Sequence, residues 1–299
     1  MVSIEGCRRR CVMKSLMVAT DLSVRSEKAL MRGAALAKRF GCPWSVLYVV
    51  DEDQPAAMVE QEAIQVKMLF EARLVELTGL GGSAPKIIVE RGDPDHRIIA
   101  VAKEKGAELL VMGAHRKGIL RDIFVGTTVE RVLRSGELPV LVVSQLAGSE
   151  YRDLLLALDT SPTSAHAVRT AARLGLLDGA VKRAVCAFSP MAKGMMEYSG
   201  VNPERIDEFV GTETRQAVDE LKTFLRAEQL EPHIDEQLVA VGLPTSVLQR
   251  MNDKHRPDLL VMGTRGLGGV RRALIGSVAD YALRELDCDV LVVPPEHEV

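Results

Sequence analysis

Aromatic residues are scarce in this chain: Phe, Trp and Tyr make up 4% of 299 residues, with a single tryptophan. Few platforms remain on which unpaired bases could stack, which argues against single-stranded nucleic acid as a ligand. A surplus of positive charge is also missing, since the formal net charge is −3 and the pI is about 6.1. Neither a phosphate backbone nor an anionic membrane has an electrostatic reason to attract such a chain. No apolar run is long enough to span a bilayer. The N-terminal stretch MVSIEGCRRRCVM has an arginine run with no apolar core behind it, so no secretory signal peptide is expected, and Met13 could be the natural start. The five cysteines are scattered, and reduced thiols in a cytoplasm are the expectation. Cys7 and Cys11 are spaced for metal, but no His/Cys cluster accompanies them; a frayed tail is the simpler reading and no metal site is expected. The phosphate-loop signature GxxxxGK[ST] is absent, as is any placed general base.

What the chain has is glycine at particular places. The run Leu259–Met262 reads as a buried strand ending at Gly263; Gly266, Gly268 and Gly269 follow, then Gly276, Ser277 and an amphipathic helix. Strand, glycine loop and helix start together make an anion site, because glycine lets backbone N–H groups approach a phosphate and the helix start supplies unpaired ones. Ser277 is expected to cap that helix, with Asp280 as its box-like partner, and Arg265, Arg271 and Arg272 add positive charge. Alone, such a loop is weak evidence, since it also serves merely to turn the chain. It is not alone. Glu108–Val143 aligns without gaps to Asp258–Val293 at an offset of 150, with 14 identities in 36 positions, among them Gly113/Gly263 and Gly126/Gly276. A repeat of this size means two copies of one domain.

The elements fall in the same order in each half. Strands are expected at Ser15–Thr20, Trp44–Val50, Lys86–Glu90, Leu109–Met112 and Val140–Val143. Helices are expected at Val24–Phe40, about Ala56 to Leu77, Asp95–Lys105 and after Thr127, which with Glu130 makes a capping box. The second half repeats this with strands Leu154–Leu158, Lys182–Phe188, His233–Val241, Leu259–Met262 and Val290–Val293, and helices Pro162–Leu176, Pro203–Gln229, Thr245–His255 and one from Ser277. It is longer between Ser189 and Asn202. The expected domains are residues 13–146 and 151–295, joined by a short linker. Alternating strands and helices imply an α/β fold: two tandem doubly wound domains, each a mostly parallel five-stranded sheet flanked by helices. Ligands of such sheets bind outside the carboxyl ends of the strands, where Asp21, Val50, Gly92 and Gly113 sit in one half and Asp159, Phe188, Gly242 and Gly263 in the other.

On these residues the chain resembles the universal stress protein family, tandem form, over nearly its whole length. That family's fingerprint is Gly, two residues, Gly, nine residues, Gly, then Ser or Thr. Gly263, Gly266, Gly276 and Ser277 match it in full. In the first half Gly113, Gly126 and Thr127 match, but Arg116 stands where the second glycine belongs. Its side chain could block a close phosphate, or its guanidinium could bind one.

The resemblance implies an adenine nucleotide, ATP with or without Mg, held mainly in the second domain. Asp159 would hold the ribose hydroxyls, Phe188 and Met262 would border adenine, and Gly263, Arg265, Gly266, Gly276 and Ser277 would surround the phosphates. Asp21, Val49, Gly113, Gly126 and Thr127 hold the matching first-half positions. Each aspartate also has a simpler reading, in which it braces the first helix through Ser23 or Ser161. The family pairs through its last strand, so the resemblance further implies an intramolecular pseudo-dimer, with a further homodimer open. A cytoplasmic ATP-binding regulatory protein of the stress response is the leading expectation, with weak hydrolysis at most. A slow ATPase and a nucleotide-free interaction scaffold are the alternatives. A related ATP-pyrophosphatase lacks support, because Thr20-Asp21-Leu22-Ser23 replaces its SGGxDS-type loop.

Overall fold

The computed structural model describes residues 13–114, 127–145, 150–190, 192–264 and 275–296. The first half contributes strands β1 (Leu16–Ala19), β2 (Trp44–Val50), β3 (Lys86–Arg91), β4 (Leu109–Gly113) and β5 (Val140–Val143). Between them lie helices α1 (Val24–Phe40), α2 (Ala56–Gly81), α3 (Pro94–Glu104) and α4 (Thr128–Ser135). The second half has β6 (Asp153–Leu158), β7 (Val181–Phe188), β8 (Glu236–Val241), β9 (Leu259–Gly263) and β10 (Asp289–Val293). Its helices are α5 (Pro162–Arg173), α6 (Lys193–Tyr198), α7 (Pro203–Ala227), α8 (Pro244–His255) and α9 (Ser277–Glu285).

All ten strands form one sheet in the order β3-β2-β1-β4-β5-β10-β9-β6-β7-β8. Every pairing is parallel except the central one, where β5 meets β10 antiparallel with Leu141 opposite Leu291. The strands expected at exposed edges therefore cover each other. This buries two apolar edges at once, removes the pairing hazard, and joins the halves as an intramolecular pseudo-dimer.

Side chains alternate along each strand into two core layers. Leu16 and Val18 pack with α1, α2, α5 and α7 on one face, while Met17 and Ala19 join the layer of α3, α4, α8 and α9 on the other. Each layer contains residues of both halves, so the core is continuous across the β5–β10 junction.

Several element ends differ from expectation for local reasons. α2 runs on to Gly81, where any Cβ would meet the Trp44 indole at 2.6 Å; Trp44 Nε1 then donates to Ser83 O at 3.0 Å. α5 stops at Arg173, before Gly175 at φ 73°. Residues Glu231–His233 form a single 3-10 turn, so β8 starts at Glu236. The added length after Ser189 holds the short helix α6.

Candidate functional site

Two clefts open at the carboxyl ends of the strands, one per half. The larger, about 750 Å³, lies between β6, β7 and β9. The smaller, about 380 Å³, lies between β1, β2 and β4. Three helix N-termini converge on each. Ser164 of α5, Pro244 of α8 and Ser277 of α9 line the larger cleft; Ser26 of α1, Pro94 of α3 and Thr128 of α4 line the smaller. The open N–H groups and partial positive charge of a helix start favour an anion. Arg25 and Arg131 add charge beside the smaller cleft.

Asp21 and Asp159 occupy equivalent turns. Asp21 Oδ1 accepts from Ser23 N at 3.0 Å, and Asp159 Oδ1 accepts from Ser161 N at 3.1 Å. Both aspartates brace their turns and also line their clefts. The next residue in each half, Leu22 at φ 59° and Thr160 at φ 57°, is left-handed, an uncommon conformation for a residue other than glycine. Burial pushes the Asp21 pKa up, but hydrogen bonds from Ser23 and Ser26 outweigh it and hold the carboxyl below its usual range.

The strand-end glycines have a packing reason. A Cβ on Gly113 would lie 2.7 Å from Arg25 O; one on Gly263 would lie 2.7 Å from Thr163 Cγ2. Glycine here lets the first turn of α1 or α5 settle on the strand end, which shapes each cleft. Across the larger cleft, Gly276 N donates to Thr264 O at 2.9 Å and fixes the start of α9 beside the end of β9.

Ser277 does not cap α9. Gly276 stands at the cap position without a side-chain bond, Ser277 is the first helical residue in the cleft wall, and Asp280 pairs with Arg284 at 3.0 Å. The Gly276–Thr264 bond shifts the cap one residue earlier than the sequence suggests. Thr127 does cap α4, accepting from Glu130 N at 3.2 Å.

The register also corrects one correspondence. Gly92 N donates to Val50 O as Gly242 N donates to Phe188 O, so Val50 is the counterpart of Phe188. Val49 matches Ala187, and both of these line their clefts, whereas Val50 is fully buried. Phe188, Met262, Gly263, Gly276 and Ser277 all border the larger cleft; Gly113 and Thr127 border the smaller. Arg116, Gly126, Arg265 and Gly266 lie outside the described residues.

One difference between the clefts was not anticipated. Tyr48 on β2 stands where β7 carries Cys186. The Tyr48 hydroxyl donates to Glu62 Oε1 of α2 at 2.6 Å, so a phenol ring fills space that the thiol leaves open. Burial, then Glu62 and Asp21, push the phenol pKa up. Burial, then Asp159 and Glu220, push the Cys186 thiol up to about 11, so it stays protonated at neutral pH. Among the described residues, Asp93, Asp95 and His96 bring ligand atoms within 4.8 Å of one another, but Arg131 Nη1 already lies 3.2 Å from Asp95 Oδ1. No helix among these residues is long and apolar enough to cross a membrane.

The profile of the Universal stress protein family matches residues 13–144 and again 150–294. Universal stress protein MJ0531 of Methanocaldococcus jannaschii is 32% identical over 90 residues, which are 30% of this chain and 51% of that protein. The chain thus spans about half the length of that curated relative. Universal stress protein Sll1388 of Synechocystis is 25% identical over 150 residues, 48% of this chain and 97% of its own. The crystal structure of a universal stress protein from Archaeoglobus fulgidus superposes with a TM-score of 0.69 at 18% identity, covering 94% of this chain and 96% of that one, and so shares the fold. With its profile matched twice in succession over a fold of this topology, the chain belongs to the universal stress protein family as a tandem two-domain member.

Proposed function

We propose that this chain is an ATP-binding regulatory protein of the stress response, and that the nucleotide sits in the second domain, residues 151–295. The larger cleft carries this reading. Its apolar inner wall of Val185, Ala187, Phe188 and Met262 suits a purine, and Asp159 stands beside it for the ribose hydroxyls. The starts of α5, α8 and α9 suit a polyanion, with Gly263, Gly276 and Ser277 toward the phosphates. Arg265 and Gly266 belong to the same phosphate loop by sequence. When bound, Mg²⁺ would neutralise part of the phosphate charge. In the first domain, residues 13–146, the Tyr48 ring narrows the cleft on its α2 side and Arg116 interrupts the glycine loop. That domain serves as a partner to the binding one.

The test is calorimetric titration of ATP into nucleotide-free protein, with Gly276→Glu and Gly126→Glu alongside. Gly276 has φ −61° and ψ 147°, which any residue adopts, so the carboxylate probes the cleft and not the backbone. Binding lost only in Gly276→Glu supports the reading. No binding by the parent protein sinks it and favours an interaction scaffold.

A further inference from the structure

Helix α2 buries Val59, Val66, Phe70 and Leu77 against the sheet. At 3.6 residues per turn the opposite face carries Ala57, Gln61, Ile64, Met68, Ala72, Val75 and Gly79, apolar but for Gln61 and with no charge among them. Ile64, Met68 and Val75 are 52%, 64% and 86% exposed. Such a stripe is costly to leave in water and marks a contact surface. Its second-domain counterpart, α7, follows the opposite pattern and exposes Arg205, Glu208, Arg215 and Asp219. The stripe is therefore a property of this helix and not of the repeat.

We infer that this face is the contact through which two copies of the chain pair, α2 against α2, antiparallel about a two-fold axis at Met68. In that register no charge is brought against the stripe. Ile64 falls opposite the small Ala72 of the second copy, Ala57 opposite Gly79, Val75 opposite the uncharged Gln61, and Met68 meets its own copy at the axis. The charges point the same way. Glu60 is paired with Arg91, Glu62 with Tyr48, and Arg73 with Glu27 and Glu76. Among the described residues, Lys67 and Glu71 are the charges of α2 with no partner in the chain. They flank the stripe on one side. In an antiparallel pair each flank meets itself, so Lys67 of either copy faces Glu71 of the other, giving two reciprocal ion pairs.

The other route to a homodimer, strand pairing, is disfavoured. β5 and β10 are used up against each other, and the outer edges β3 and β8 carry Lys86, Glu90, Arg91 and Glu236, which discourage edge association. This inference is independent of the nucleotide reading.

Sedimentation equilibrium of the full chain tests it. The expected particle has twice the 32.6 kDa chain mass. Met68→Glu, an exposed change that leaves the circular dichroism and thermal transition of a single chain intact, gives a monomer. Lys67→Glu and Glu71→Lys each weaken association about tenfold, and the double reversal restores it, since about 1.4 kcal/mol corresponds to a factor of ten. A monomeric parent protein at tens of micromolar overturns the inference, as does a dimer that persists in Met68→Glu. So do charge reversals that fail to compensate.

Discussion

Arg32 Nε lies 3.1 Å from Asp289 Oδ2, although the residues come from opposite halves and both are almost fully buried. Around this pair, Ser144 N and Gln145 N donate to Asp289 Oδ1 at 2.9 and 3.1 Å. Tyr151 Oη donates to Oδ2 at 2.8 Å, with its ring 4.4 Å from the Arg32 guanidinium. The charge of β10 is thus held by α1 and by the segment joining the two halves. Removing one member of a buried pair leaves the other uncompensated, at a cost of about 3–5 kcal/mol. Asp289→Ala is expected to lose stability of that order in urea denaturation, and Asp289→Asn, which removes the carboxylate charge beside Arg32, to lose a large part of it. A loss under about 1 kcal/mol for both would show that the pair is incidental.

The strand-end glycines give a second expectation. Gly263→Ala clashes chiefly with Thr163 Cγ2 at 2.7 Å, an atom that a serine lacks, whereas Gly113→Ala meets backbone, Arg25 O, at 2.7 Å. Overpacking of this kind costs about 1–3 kcal/mol. Thermal unfolding should therefore show Gly263→Ala rescued by Thr163→Ser. No comparable side-chain change is available for Gly113→Ala. Equal tolerance at both sites would mean that the helix starts yield easily.

Tyr48 offers a change in the gaining direction. Tyr48→Cys removes the ring and its bond to Glu62, and should let the first-domain cleft take adenosine, a ligand that needs no phosphate loop. Calorimetry should then register an added weak adenosine site absent from the parent. An unchanged titration would mean that Tyr48 does not decide what this cleft admits.

Acid behaviour follows from the carboxylates of α1 and its turn. Hydrogen bonds from Arg73 hold Glu27 below its ordinary 4.5, and those from Ser23 and Ser26 hold Asp21 below its ordinary 3.8. For a carboxyl depressed in the folded state, the stabilisation is complete above the unfolded value and fades as pH falls through the folded one. Stability is therefore expected to drop below about pH 4.5. The gap between parent and Glu27→Gln, measured by urea titration, should narrow across that window. A gap independent of pH would assign the Glu27 contribution to packing.

Much of this was legible in the sequence because the repeat fixes so much at once. The matched run from Leu109 to Gly113 and from Leu259 to Gly263 located β4 and β9 and with them both clefts. Asp159 and Gly263 could be placed in the cleft wall because the crevice of a doubly wound sheet opens at its strand ends. What stayed hidden depended on which way a side chain faces. A one-residue step reverses the face of a strand residue, so Val49 lines its cleft while Val50, the strand-end counterpart of Phe188, is buried. Tyr48 went unnoticed for the same reason: only the strand pairing and α2 show that its ring occupies the position of Cys186. The cap of α9 shifted because a bond from Gly276 to Thr264, across the loop, sets the helix start.

The most direct test of the central claim is the number of ATP molecules bound per chain at equilibrium, for the parent and for Cys186→Tyr. That substitution places in the second-domain cleft the ring that fills the first. The account predicts one ATP per chain in the parent and none in the variant, with the variant still folded. Two per chain in the parent, or one retained by Cys186→Tyr, would contradict it.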